Sequence, residues 1–269
     1  MKAGRLVTIA TRSILKNKMR ALLTMLGIII GVAAVIVMVA IGQGAKSQIQ
    51  QRVNSLGTNL VVITPGATAA GGVSQGAQTA TTRLTAADAE ALQRESTLLT
   101  GVSPVVVTMV QLVGGTGNWR SQVNGVSADY GTIRDWPVTS GQFFDATDVK
   151  AMRKVALLGK TVADQLFAGT DPVGQQIRLR NEPFDVIGVL AAKGQTAEGR
   201  DQDDIVLAPY TTVQTRLAGR SFITQIIGST ANPDDIQAAQ DEVHGIMREA
   251  HRLVEGEPDD FTVRNQSDL

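Results

Sequence analysis

The sequence predicts a mixed α+β domain that is attached to a membrane by one helix near its N-terminus. An uncharged run, Ala21–Ile41 (ALLTMLGIIIGVAAVIVMVAI), is long enough to span a bilayer. Downstream of it, strand-like and helix-like segments alternate, with enough apolar residues to bury a core. Charge is also distributed unevenly along the chain, which indicates the direction in which the helix crosses the membrane.

The membrane helix is predicted from both its length and its flanks. Thr24 is the only polar side chain between Ala21 and Ile41, and this run spans about 30 Å as a helix. Residues 1–20 carry six bases and no acid, whereas residues 21–269 have a net charge of −6. The positive-inside rule therefore places the N-terminus in the cytoplasm and everything after Gly42 on the other side.

Two alternatives bear on this N-terminal region. A cleaved signal peptide has a short basic region and an apolar region of about 7–15 residues, so a retained span over 21–42 is favoured. Residues 1–20 form either a short amphipathic helix along the inner headgroups or a plain basic flank. Their position before the apolar run favours an orientation signal over nucleic-acid binding.

One face of the predicted membrane helix carries small residues. Gly27 and Gly31 are four residues apart, and Ala34 follows one turn later. Small residues let a second helix approach closely in a membrane. Gly27 and Gly31 are therefore candidate helix-packing residues, although small residues are also common in membrane helices that pack elsewhere.

The rest of the chain is predicted to contain two β-α-β units that flank a block of strands. A helix over 43–56 is closed by Gly57, and a Gly/Ala/Thr-rich loop occupies 65–82. Thr85 and Asp88 resemble a capping pair at the start of a helix. The strands predicted from β-branched and alternating patterns are 59–64, 102–113, 119–126, 154–158, 176–180, 184–190, 205–207, 221–229 and 261–263. Further helices are expected over 161–167 and 232–251, and a hairpin turn at Asn181–Glu182–Pro183.

Patterns that suggest chemistry are incomplete in this sequence. Gly159-Lys160-Thr161 resembles the end of a phosphate-binding loop, but Lys154 stands where that loop needs a glycine. His244 and His251 are about 10 Å apart on one helix, too far to share a metal, and are expected to be solvated or partly packed. The sequence contains no cysteine, which excludes disulfides and thiol catalysis and leaves the compartment open. We expect no catalytic, cofactor-binding or metal site in this chain.

An acidic segment, Asp201–Asp204 (DQDD), is the remaining polar feature of interest. It has neither the further oxygen ligands nor the glycine that a calcium loop requires. An exposed loop is the favoured interpretation, and a partner-contacting surface is the alternative. Gln202, Asp203 and Asp204 are the candidate partner-contact residues.

Blocks of sequence spread along the whole chain are similar to a known family. They are Ser13–Gly31, Ser55–Gly66, Trp136–Phe144, Val155–Gly159, Leu166–Gly174, Phe184–Gly194, Gln202–Pro209 and Asp260–Gln266. Together they resemble the permease of MacB-type ABC transporters, exporters of macrolides and peptides that are related to lipoprotein-releasing permeases. The resemblance implies one membrane helix, a large periplasmic domain and three more helices. Residues 43–115 and 221–269 would form a porter-like part, and 116–220 an inserted subdomain.

The resemblance also implies partners and a mechanism. Such permeases form homodimers in the bacterial inner membrane, where cytoplasmic ATPase domains that bind ATP and Mg drive motions of the periplasmic domain, a process called mechanotransmission. A periplasmic adaptor protein and a TolC-like outer-membrane channel complete the system in two-membrane bacteria. Because three helices would follow Leu269 and an ATPase domain would precede Met1 in fused members, we expect a fragment or truncation, with the ATPase on a separate chain.

Two other functions stay open from the sequence. A lipoprotein-releasing or cell-division-type permease of the same superfamily has the same architecture, because cargo depends on pocket shape and partners. A single-span sensor or binding protein would need a cytoplasmic output region, and twenty residues before the span are too few to supply one.

Overall fold

The computed structural model describes residues 17–55, 59–66, 83–196 and 199–265, with the backbone alone over 47–55. The predicted α+β class with an N-terminal apolar helix is confirmed. The greater part of the predicted basic segment, the closing Gly57 and most of the predicted Gly/Ala/Thr-rich loop lie outside the described residues.

The N-terminal helix, α1, runs over Lys18–Ser55 without interruption. Its segment Lys18–Lys46 is long and apolar enough to cross a membrane, judged by length and composition. The large apolar side chains along it are exposed in the single chain, as expected for a surface that lipid or another helix covers. The predicted continuation of the helix beyond residue 42 is confirmed.

The first part of the globular unit is a four-stranded antiparallel sheet with two helices. Its strand order is β10-β1-β9-β2. The elements in chain order are β1 (Leu60–Pro65), α2 (Ala86–Glu95), β2 (Leu99–Gly114), β9 (Gln225–Thr230), α7 (Ile236–Ala250) and β10 (Phe261–Asn265). The capping box that begins α2 is the predicted one, since Thr85 and Asp88 exchange hydrogen bonds.

A second part is inserted between β2 and β9, and its hydrogen-bond ladder returns to β2. The ladder passes from β2 through β3, β8, β5, β7 and β6, and β6 pairs with β2 again. Its strands are β3 (Gly117–Val126), β4 (Val138–Gly141), β5 (Val155–Leu158), β6 (Gln176–Leu179), β7 (Glu182–Leu190) and β8 (Ile205–Pro209). The closed ladder leaves few unpaired strand edges in this part.

The strand β2 belongs to both parts. Its residues up to Val105 pair with β9, and its residues from Val106 onward pair with β3. A buried apolar cluster is also continuous between the parts, from Val243 on α7 to Phe184 on β7. The two parts are therefore joined by one strand and one core, which favours movement as a unit.

Several short elements escaped prediction, and two boundaries were wrong. The helical segments that the sequence did not predict are α3 (Tyr130–Ile133), α4 (Ala146–Lys150) and α6 (Tyr210–Thr212), which continues as a π-helical turn over Val213–Ala218. They are too short for periodicity to reveal. The helix predicted over 161–167 is α5 (Lys160–Phe167). The hairpin turn lies one residue earlier than predicted, because Leu179 pairs with Glu182. Strand β9 begins at Gln225 rather than at 221.

Candidate functional site

The predicted packing face on α1 consists of Gly27 and Gly31. The space that a side chain would occupy at either glycine is open in this single chain. Positions four residues apart lie on the same side of a helix. The backbone is thus accessible to another helix at both positions, and the packing role stays a prediction.

The acidic segment Asp201–Asp204 is not simply an exposed loop. Asp203 is buried, and its carboxylate accepts hydrogen bonds from the backbone N–H groups of Lys193 (2.8 Å) and Gly194 (2.9 Å). The interpretation as an exposed loop is therefore wrong for Asp203, since its charge is satisfied by donors at the start of the same loop, which joins β7 to β8. The proposed partner contact of Gln202, Asp203 and Asp204 stays a prediction.

Neighbouring carboxylates in this segment are also hydrogen-bonded. Asp204 accepts from the indole N–H of Trp119 at 2.9 Å, and Asp201 accepts from the hydroxyl of Thr161 at 2.7 Å. A side chain at Gly159 would lie 2.2 Å from the carbonyl oxygen of Asp203. The glycine of the apparent phosphate-loop remnant is therefore required by close backbone packing.

Gln202 and Asp204 line a cavity of about 450 Å³ between the two parts of the globular unit, called here the arginine-lined cavity. One wall is a face of the four-stranded sheet, the face that points away from α7 and the buried cluster around it. On this wall Arg264 of β10, Val62 of β1 and Ile227 of β9 lie side by side in register. The other wall includes the residues Gln122, Asn124, Tyr130, Arg134, Trp136, Arg200 and Ile205.

Positive charge accumulates beside this cavity. Arg134, Arg200 and Arg264 line it, and the ammonium group of Lys193 lies 5.1 Å from the centre of the Trp136 ring. Lys193 donates to the carbonyl oxygen of Arg134 at 2.6 Å. Burial lowers the pKa of Lys193 to about 8, and the charge of Arg134 adds to this effect.

The two histidines are paired with carboxylates at the helix layer of the four-stranded sheet. The side chain of His251 is 8% exposed and contacts Asp260 at 2.8 Å and Asp88 at 3.4 Å. The hydrogen bond to Asp88 raises the pKa of His251 to about 9 against the opposing effect of burial, with help from Asp260. His244 contacts Asp259 at 2.6 Å and is more exposed. Partial packing of the histidines was predicted, but no local signal indicates their partners, of which Asp88 is distant in sequence.

No group of three His, Cys, Asp or Glu residues is arranged to hold a metal ion within the residues that the structure describes.

The helix and the domain together define a membrane protein in which one apolar helix carries an extracytoplasmic α+β domain. Residues 21–246 match the family described as the MacB-like periplasmic core domain, and the chain belongs to this family.

Relatives of known name agree with this assignment. The macrolide export ATP-binding/permease protein MacB of Azoarcus sp. (strain BH72) is 38% identical over 260 residues, which make up 97% of this chain and 38% of that protein. The protein of the same name from Rhodospirillum rubrum is 40% identical over 268 residues, or 99% of this chain and 40% of that protein. The chain thus spans about two fifths of the length of these relatives.

Solved structures share the fold. The periplasmic region of MacB from Actinobacillus actinomycetemcomitans matches with a TM-score of 0.65 and 22% identity, covering 80% of this chain and 92% of that one. The extracellular domain of the noncanonic ABC-type transporter YknZ from Gram-positive bacteria matches with a TM-score of 0.61 and 18% identity, covering 77% of this chain and all of that one. At these identities the likeness concerns the fold alone.

Proposed function

We propose that this chain supplies the first membrane helix and the extracytoplasmic domain of a permease in an ABC-type export system. The observation that carries this proposal is the family match over residues 21–246, supported by relatives named as export permeases. Macrolide-like compounds or peptides are the proposed cargo. The nucleotide-binding partner binds ATP and Mg and hydrolyses the ATP. This chain contributes the motion of its extracytoplasmic domain.

The proposed mechanism uses the continuity between the membrane helix and the domain. Helix α1 extends past the membrane-length segment to Ser55, only a few residues before β1 begins. A short connection between a helix and a strand transmits displacement better than a long flexible linker does. Movement of α1 that an ATPase partner drives would therefore reach the sheet, without cargo passing through the bilayer.

The proposed assembly has further components. A second copy of the permease would pack with this one, with Gly27 and Gly31 at helix contacts inside the assembly. Residues 43–115 and 221–269 would form the porter-like part, and 116–220 the inserted subdomain that meets an adaptor protein and, through it, a TolC-like channel. The proposed orientation has the N-terminus in the cytoplasm, as the six bases in residues 1–20 favour.

Orientation is tested by single-cysteine labelling, which benefits from a chain without native cysteine. Arg94→Cys places a thiol on α2, where the side chain of Arg94 is 70% exposed, and Lys18→Cys places one at the start of α1. A membrane-impermeant maleimide added to intact spheroplasts should label the first variant and should label the second only after lysis. The reverse pattern would contradict the proposal.

The transport role is tested in the complete permease with its ATPase partner. Gly31→Leu should abolish macrolide resistance and drug-stimulated ATPase activity, because leucine would hold the helices apart. Ala33→Leu, which enlarges a small residue on the opposite side of the same helix, is the matched control. Unchanged export in the Gly31→Leu protein would contradict the proposed helix packing at this glycine. Absence of macrolide export in the wild type would contradict the proposed cargo.

A further inference from the structure

We propose that the arginine-lined cavity is a binding site for a small organic anion that carries one carboxylate, sulfonate or phosphate group on an apolar body. The cavity measures about 450 Å³, within the range of sites that hold small ligands. Binding there needs neither an ATPase nor export, so the assignment goes beyond the proposed function. It is tested by binding alone.

Charge identifies the kind of ligand. Three guanidinium groups line the cavity, from Arg134, Arg200 and Arg264, and only two carboxylates do, from Asp201 and Asp204. Guanidinium groups bind carboxylate, sulfonate and phosphate oxygens through paired N–H donors. An anion is therefore the complementary ligand.

The two carboxylates already have donors from the protein. Asp204 accepts from Trp119 at 2.9 Å, and Asp201 accepts from Thr161 at 2.7 Å and from the N–H of Asp203 at 2.9 Å. Among the described residues, Arg200 and Arg264 have no ion-pair partner. Their donors are thus available to a ligand, and the neighbouring acids are occupied.

Sheet register places an apolar surface next to one of these arginines. Arg264 pairs with Val62, and Val62 pairs with Ile227. The side chains of Arg264, Val62 and Ile227 therefore form a row across three strands. Ile205 lines the opposite wall. This row fits a molecule with a charged end at Arg264 and an apolar body along Val62 and Ile227.

A second cavity of about 420 Å³ on the same unit has a different character. It is lined by Glu90, Asp129 and Lys150 around Ala89 and Val102, and it contains no arginine. Its carboxylates outnumber its cations, so it does not suit an anion. The balance of charge that favours an anion therefore distinguishes the arginine-lined cavity from this second cavity.

The test uses 1-anilinonaphthalene-8-sulfonate and its uncharged counterpart N-phenyl-1-naphthylamine. The full chain is held in phosphatidylcholine nanodiscs, and binding is measured by energy transfer from tryptophan, because Trp136 lines the cavity. Arg264→Gln and Arg200→Gln should each weaken sulfonate binding about tenfold or more, the loss expected for one charged hydrogen bond. Binding of the uncharged probe should not change.

The matched control is Arg94→Gln, which removes the same charge from an exposed position on α2 away from the cavity. It should leave sulfonate binding as in the wild type, whereas Arg264→Lys should restore part of the loss in Arg264→Gln. Equal affinities in the wild type and both cavity variants, or an equal loss in Arg94→Gln, would overturn the assignment. A failure of this kind leaves the export proposal standing, because export is measured separately.

Competition then identifies the source of the natural anion. Octanoate represents a free acid, and dihexanoyl phosphatidylglycerol represents a lipid headgroup. Displacement of the sulfonate probe by either compound in the wild type supports the site and names the source. Displacement that persists unchanged in Arg264→Gln would count against it.

Discussion

Replacing His251 by glutamine removes the imidazole that joins Asp88 on α2 to Asp260 ahead of β10. The His251 side chain is 8% exposed, and its ring also packs edge-on against Phe261 at 5.7 Å between centroids. Asp88 additionally caps α2 through Thr85. Burial acts to raise the pKa of Asp88, but its hydrogen bonds with His251 and Thr85 outweigh that effect and lower it.

The size of the effect follows from the pKa of His251. A rise from 6.5 to about 9 corresponds to at most about 3.5 kcal/mol of stability, at about 1.4 kcal/mol for each pKa unit. Because the folded pKa is raised, this stabilisation is complete below pH 6.5 and is lost as the pH rises through about 9. We therefore expect the free energy of unfolding to differ between wild type and His251→Gln by about 2–3 kcal/mol at pH 6, and by less than about 1 kcal/mol at pH 10.

The assay is urea unfolding of the full chain in detergent micelles, followed by tryptophan fluorescence between pH 6 and pH 10. Only the difference between the two proteins is informative, because Lys193 has its pKa lowered to about 8 and titrates with the opposite sign. His244→Gln is the matched control, with a loss of at most about 1 kcal/mol because the His244 side chain is 44% exposed. A wild-type advantage over His251→Gln that is the same at pH 6 and pH 10 would refute the reasoning.

Three other substitutions test contacts elsewhere, each measured by the same unfolding assay. Lys193→Met should be more favourable at pH 6 than at pH 10 by about 1 kcal/mol, because the cost of charging this half-buried amine is full below its folded pKa of about 8 and is lost as the pH rises toward the 10.5 of the unfolded chain; an equal effect at both pH values would contradict this. Glu242→Ala should lose about 1–3 kcal/mol, because its carboxylate accepts four hydrogen bonds from the loop between α2 and β2, while the exposed Asp241→Ala should change little. Gly159→Ala should lose about 1–3 kcal/mol, because its new methyl group would lie 2.2 Å from a carbonyl oxygen. Gly245→Ala, with open space around it in α7, should instead gain up to about 1 kcal/mol.

Local features of the fold were predictable because they depend on neighbouring residues. The capping pair of Thr85 and Asp88 needs only a spacing of three residues, and both hydrogen bonds are present. Alternating apolar positions predicted the main strands to within a few residues, and the long helix α1 needed only an uncharged run with basic residues before it. The hairpin between β6 and β7 was misplaced by one residue because the turn forms at Arg180, which adopts a left-handed backbone without being glycine.

The candidate site was predictable only in part. Gln202 and Asp204 were singled out as surface residues, and both line the arginine-lined cavity. Arg264 had no signal in the sequence as a cavity residue, because it reaches the cavity through the pairing of β10 with β1. The burial of Asp203 was missed because it depends on how its loop folds back to bring the N–H groups of Lys193 and Gly194 to the carboxylate.

By itself, the sequence determined the apolar helix, the α+β class and the family, since all three depend on composition, spacing and short-range patterns that survive without a three-dimensional structure. Only the tertiary structure decided which charges are buried and which face a cavity. A charge can be buried only where the fold delivers its donors, as Lys193 and Gly194 do for Asp203 across one loop and as His251 after α7 does for Asp88 on α2. Neither the path of that loop nor the packing of α7 beside α2 is encoded in a local sequence pattern.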